Sequence, residues 1–237
     1  LQLGCLLIVL YITLNYFRVC KKYKKSLDSS SFDELLILAI FCIILDGVSA
    51  ITVNTLDVVS TTLNNILHMF FFIALDTVVY MIFGYLLKSI GAALKRNTRI
   101  FLSIPYGINI FIVIFSINSV EYIQGEWTNY SKGIPVYICF STVAVYLLFL
   151  FFATIKRWHY IEINKRMNIL TFAISACGIA ILQGIFPEIL MTSVVVTLLV
   201  ICIYLNQEDP VYNELSKYHD EMIMGFATLV ENKDGST

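Results

Sequence analysis

The chain has 237 residues, of which 58% are hydrophobic and 14% charged, with a formal net charge of -1 and a mean hydropathy of +0.79. A water-soluble domain of this length carries about a quarter charged residues and interrupts its apolar runs well before roughly 18 positions, so the composition is that of a membrane protein and gives no reason to expect nucleic acid as a partner. The six cysteines, Cys5, Cys20, Cys42, Cys139, Cys177 and Cys202, lie apart without a CxxC pair, and read as small apolar fillers, neither a disulfide framework nor a zinc site.

Apolar runs of spanning length occur at 2–19, 33–53, 64–87, 100–118, 134–155, 168–186 and 188–205, which predicts an all-α bundle of seven transmembrane helices over 1–206. The first run is too long for a cleavable signal peptide and has no basic leader. The loops after spans one, three and five and the tail beyond span seven hold fifteen of the sixteen Lys and Arg residues. Only Lys132 falls in a loop of the other parity, so the positive-inside rule places the N-terminus outside and the C-terminus in the cytoplasm of a multi-pass plasma-membrane protein.

Of the outer loops, 54–63 is short and weakly acidic, whereas 119–133 carries Glu121, Tyr122, Glu126, Trp127 and Tyr130. Aromatic residues at that depth read as interfacial anchors or as a cap over a ligand, anchors being the commoner use. Asn129-Tyr130-Ser131 fits a glycosylation tripeptide, a pattern that arises readily by chance. The connection between spans six and seven is predicted to be little more than Phe186-Pro187-Glu188.

The third span contains "FFFIALDTVVYMIF", an acid within an apolar run. Counting from Asn64 at about 1.5 Å per residue, Asp76 lies roughly 18 Å down a hydrocarbon core about 30 Å thick. A carboxylate there costs on the order of 2.5 to 3.5 kcal/mol against lipid, so it is expected to face the bundle interior, to find partners or to hold a proton. Asn65, His68, Phe72, Asp76 and Tyr80 recur at three- and four-residue spacing and form one stripe on this helix. Asp46 in span two, Asn109 in span four, Gln183 in span six and Glu188 at the start of span seven can face the same interior. Two readings stay open for these groups. They hydrogen-bond one another and hold the helices together, or Asp46, Asn65, His68, Asp76, Tyr80, Asn109, Gln183 and Glu188 line an outward-opening site for a small polar or cationic ligand.

Beyond span seven, Asp209 before Pro210 is a helix start, with an N-cap followed by proline at the first helical position. Val211, Leu215, Tyr218, Met222, Phe226 and Leu229 then step by 4, 3, 4, 4 and 3, close to a heptad seam. A linker helix over 207–228 would pair with a second copy in a homodimer or pack on a following domain. Asp209, Pro210, Leu215 and Met222 are the expected signal-transmission positions.

The last residues, "FATLVENKDGST", resemble the opening helix of HD and HD-GYP phosphohydrolase domains, in which an apolar stretch precedes Glu-x-Arg-Asp-x-x-Thr. Glu231, Lys233, Asp234 and Thr237 occupy that pattern; Lys233 stands where arginine is usual, and Gly235 and Ser236 replace a frequent Pro-Tyr. The match covers about a dozen residues, and the metal-binding histidines of that family would lie beyond Thr237. In architecture, the rest of the chain more loosely resembles the seven-helix sensory regions that precede HD-GYP, diguanylate cyclase and histidine kinase modules in Firmicutes. The resemblance implies that 229–237 opens a truncated HD-type domain, and that the chain is the non-enzymatic input half of a bacterial receptor. Its own C-terminal catalytic domain would hydrolyse cyclic di-GMP with divalent metals, while this fragment would carry no cofactor. A diguanylate cyclase or histidine kinase output is the alternative within the same class.

Among other classes, a retinal protein is excluded because spans six and seven contain no lysine for a Schiff base. A G-protein-coupled receptor is disfavoured because span three ends "GYLLKSIG" without Asp-Arg-Tyr, and no constellation for intramembrane hydrolysis is present. A secondary transporter or proton-coupled carrier remains the alternative, since buried acids carry coupling protons and glycines at 47, 84, 107, 178 and 184 offer points to interrupt helices.

Overall fold

The computed structural model describes residues 1–22, 30–89, 96–161, 163–186, 188–205, 219 and 222–224. The apolar runs become helices α1 (Gln2–Lys22), α2 (Ser30–Val53), α3 (Thr61–Ser89), α4 (Arg96–Ser116), α5 (Ile134–Arg157), α6 (Ile163–Ile185) and α7 (Thr192–Ile203). Helices α1 to α5 are long and apolar enough to cross a membrane, five where the sequence predicts seven. Helix α7 has only 12 described residues, about 18 Å against a hydrocarbon core of roughly 30 Å. It starts at Thr192 and not at 188, so Glu188 falls in the connection 186–191.

Each helix packs on its neighbour in sequence, and α7 returns to pack on α1 and α2, which closes the bundle; α3 also packs on α5. The interior is apolar, with Val9 and Tyr16 of α1, Leu36 of α2, Val78 of α3, Val113 of α4 and Val200 of α7 all buried. The exterior is apolar as well. Leu3, Leu7 and Tyr11 on α1, Ile37 and Ile51 on α2, Phe101, Phe111 and Phe115 on α4, and Phe151 and Phe152 on α5 are all exposed. Soluble proteins rarely show contiguous apolar surface on this scale, and lipid removes its cost. The long helices and this outer surface together fit a membrane protein.

Polar ties join several helix pairs; among them, Thr52 donates to Asn64 Oδ1 at 2.8 Å, and Asn15 Nδ2 donates to the Tyr204 hydroxyl at 2.8 Å. Such bonds contribute about 0.6 kcal/mol each in a bilayer, so close packing dominates the assembly. The helices run unbroken through Gly47, Gly84, Gly107, Gly178 and Gly184.

At one end of the bundle the segment between α4 and α5 forms a 3-10 turn (Ile117–Ser119) and a two-stranded antiparallel hairpin of β1 (Glu121–Ile123) and β2 (Tyr130–Lys132). Its register pairs Glu121 with Lys132, Tyr122 with Ser131 and Ile123 with Tyr130. Gly133 then turns the chain into α5 with φ of 146°, a conformation L side chains rarely adopt. A Cβ at this position would stand 2.5 Å from the Ser119 carbonyl oxygen. Pro135, in the first turn of α5, needs no helical N–H donor there.

Helix α4 contains Pro105, which removes one backbone donor and crowds the preceding turn. The Tyr146 hydroxyl of α5 accepts from Tyr106 N–H at 3.2 Å and donates to the Leu102 carbonyl at 3.1 Å. It thus bonds both groups of one would-be i to i−4 helical pair, beside the proline and from the neighbouring helix.

Candidate functional site

A cavity of about 170 Å³ lies between α2, α3, α5, α6 and α7. On α3 its wall runs from Phe71 to Ile82, about 16 Å along the axis. Apolar side chains make most of the lining, among them Phe72, Val79, Phe140, Phe172 and Leu199. The polar lining side chains are Asp46 of α2, Gln183 of α6, Thr192 of α7, and Tyr130 and Ser131 of β2. Among the described residues, helix α6 packs more closely on α7 than on α5.

Asp46 is buried, and Ser193 Oγ donates to its Oδ2. The Gln2 side chain and the Ser193 backbone N–H also face this carboxylate. Gln183 Nε2 donates to Thr192 Oγ1 at 3.2 Å, joining α6 to the start of α7 beside the same carboxylate's cavity. Asp46 and Gln183 are the two predicted site residues that the fold brings together on the cavity wall.

Asp76 turns inward, as its helical stripe predicts, and has no exposed surface. Its Oδ2 accepts from the Cys139 thiol at 3.3 Å, while Oδ1 has no partner among the described residues. Cys139 lines the cavity, so a single side chain separates Asp76 from it. Asn109, also buried, approaches the same thiol and donates from Nδ2 to Thr142 Oγ1 at 2.5 Å; its Oδ1 has no partner among the described residues. Cys42, one turn from Asp46 on α2, lies within electrostatic reach of both carboxylates.

The other predicted residues go elsewhere. Asn65 accepts from the Tyr122 hydroxyl at 2.6 Å and donates to Asn118 at 3.4 Å. His68 Nδ1 lies 3.0 Å from the Asn64 carbonyl, which can only accept, so Nδ1 carries the proton. The His68 ring packs edge-on to Phe72 and Tyr122, with centroids 5.9 and 5.2 Å apart. Tyr80 stacks on Tyr106 at 4.9 Å, and the Tyr106 hydroxyl meets Thr77 Oγ1 at 2.9 Å. Glu188 accepts from the backbone N–H groups of Glu126 at 3.2 Å and Trp127 at 3.0 Å, and Thr128 Oγ1 donates to its carbonyl at 2.6 Å. The eight residues therefore do not line one cavity.

The hairpin aromatics divide by role. Trp127 is 88% exposed, whereas Tyr122 and Tyr130 turn over the bundle. Burial pushes the Tyr122 phenol up to about 12, because ionisation would place a charge where water is scarce. The Asn129 side chain donates to the Val53 carbonyl at 2.9 Å, which engages the amide a glycan would need.

Sequence reasoning missed Tyr146, Thr142 and the role of Cys139. A tyrosine, a threonine and a cysteine in an apolar span read as filler, and only the proximity of α3, α4 and α5 gives them partners. Asp209, Pro210 and Leu215 lie outside the described residues, as do Glu231, Lys233, Asp234 and Thr237; Met222 is exposed in the helical segment 222–224.

Comparison of the chain with protein-family models, curated proteins and solved structures finds no match.

Proposed function

We propose that this chain is the membrane-embedded input region of a signalling protein, with seven spans, its hairpin end outside and its tail in the cytoplasm. The observation that carries this reading is the position of α7. Thr192, Val195, Val196 and Leu199 of α7 line the cavity, and the same helix leads towards the tail. A small ligand that fits one arrangement of the cavity better than another would shift α7 between positions, and a tenfold change in output needs only about 1.4 kcal/mol of differential binding. The basic residues support the orientation: Lys88 and Arg99 border one pocket at the end opposite the hairpin.

The output we propose is an HD-GYP-type phosphodiesterase acting on cyclic di-GMP, on the strength of the likeness at Glu231, Lys233, Asp234 and Thr237. The test is cyclic di-GMP hydrolysis by the parent protein in nanodiscs, metal-loaded, comparing wild type with Asp46→Asn and Asp76→Asn. Altered hydrolysis in either variant supports control from the bundle. Absence of hydrolysis in folded wild type removes the phosphodiesterase, and unaltered hydrolysis in both variants removes these carboxylates from the control.

A proton-coupled carrier is favoured by one observation, the unpartnered Oδ1 of Asp76 deep in α3. The unbroken helices at all five glycines weigh against it, because carriers of that kind bind at discontinuous spans. Proton-coupled flux of a labelled solute into proteoliposomes containing the chain would overturn the sensor reading.

A further inference from the structure

We infer that the cavity between α2, α3, α5, α6 and α7 takes a small cationic amphiphile, with its ammonium group at Asp46 and an apolar body no wider than one aromatic ring along α3. This rests on the reading of that cavity as the input site and names the class of ligand it would hold. It narrows the small polar or cationic ligand that the sequence suggests to a cation with an apolar body, because the walls cannot reward polar surface.

Volume sets the first limit. A protein cavity of roughly 150 Å³ lined by apolar side chains accepts benzene, and this one measures about 170 Å³. The ligand is therefore about one ring with a short substituent. Length sets the second, since about 170 Å³ is spread along an α3 wall that runs from Phe71 to Ile82. Leu75, Val78 and Val79 of α3 share the lining with Val136, Val143 and Ile179, side chains that offer dispersion and dehydration but no hydrogen bonds.

Charge fixes the head. Asp46 is the one ionisable acid among the lining residues, and no Lys, Arg or His stands with it there. Ser193 holds the carboxylate in place through Oδ2, and Gln183 and Thr192 supply neutral polar groups nearby. An anionic head would meet Asp46 without a compensating cation, and a neutral head would forgo the charge-assisted bond. Among the described residues α5 and α6 make the looser of α6's two helix contacts, and an amphiphile dissolved in a bilayer would enter there more readily than a strongly polar solute.

The test uses the full 237-residue chain in nanodiscs with two probes of one skeleton, phenethylamine and phenethyl alcohol, titrated by calorimetry. We expect the amine to bind more tightly than the alcohol. Asp46→Asn should weaken the amine by about tenfold or more, the scale of one lost charge-assisted contact, and leave the alcohol within about threefold. Ala176→Phe on α6 and Val195→Phe on α7 fill the cavity from different walls and should each abolish binding of both probes; two sites guard against one variant misfolding. Equal binding of amine and alcohol to wild type overturns the proposal. So does binding that survives both filling variants in folded protein, and so does a cavity found by native mass spectrometry to hold bilayer lipid that neither probe displaces. Failure of the input-site reading looks different: the amine binds and Asp46→Asn weakens it, yet the parent protein's output does not respond to it.

Discussion

Tyr146→Phe removes one hydroxyl and keeps the ring packed on Phe83, whose centroid lies 4.7 Å away. If the hydroxyl were an ordinary interhelical tie, its loss would cost about 0.6 kcal/mol. Here it serves two backbone groups of α4, the N–H of Tyr106 and the carbonyl of Leu102. Leaving buried groups unsatisfied costs about 1–3 kcal/mol, so the expected loss is about 2 kcal/mol. The decisive comparison is the same substitution in a Pro105→Ala background. Without the proline ring α4 can close the direct bond from Tyr106 to Leu102, and the hydroxyl becomes dispensable. Unfolding in mixed micelles of wild type, both single variants and the double variant gives the coupling, expected at about 1.5 kcal/mol. A cost for Tyr146→Phe that agrees in the two backgrounds within about 0.5 kcal/mol, the usual scatter of independent sites, would refute the wedge.

Three further outcomes are expected. Gly133→Ala should destabilise the chain by about 1–3 kcal/mol, since the left-handed φ and the approach to the Ser119 carbonyl both forbid a Cβ; an unchanged melting temperature would contradict this. Tyr122 should make stability fall at alkaline pH. Its folded value of about 12 lies above the ordinary 10, so its contribution is complete below pH 10 and is lost as the pH rises to about 12. Tyr122→Phe should flatten that part of the profile, and tyrosinate absorbance locates the titration. In a background with the six native cysteines replaced, a small thiol reagent should label Asp46→Cys, which lines the cavity, before Asp76→Cys, which has no exposed surface; equal rates would place both on one open wall.

The parts of this fold legible in the sequence are those that depend on one helix at a time. The inward turn of Asp76 follows from a three- and four-residue stripe in a medium that penalises charge, and the position on α3 agrees. The stripe does not say which neighbour each member meets, so it groups Asn65, His68 and Tyr80 with Asp76, although the hairpin takes the first two and Tyr106 the third. Strands of three residues are too short for alternation to show, which hid β1 and β2. Glu188 reads as part of the last span because apolar residues flank it on both sides, and nothing local reveals the two backbone donors contributed from 126 and 127. Tyr146 lies 40 positions away from Tyr106, beyond any local pattern.

The bond from Glu188 to the hairpin loop has a mechanical side. One carboxylate grips the tip of the loop, and the loop passes close enough that a Cβ on Gly125 would fall 2.6 Å from Glu188 Cδ. Glu188 itself stands four residues before α7 begins. The lid over the bundle and the root of its last helix are therefore fastened by the same short rivet. A tug on the lid arrives at α7 with only the connecting residues to absorb slack, whereas a lid tied to α4 or α5 alone would lift without moving it.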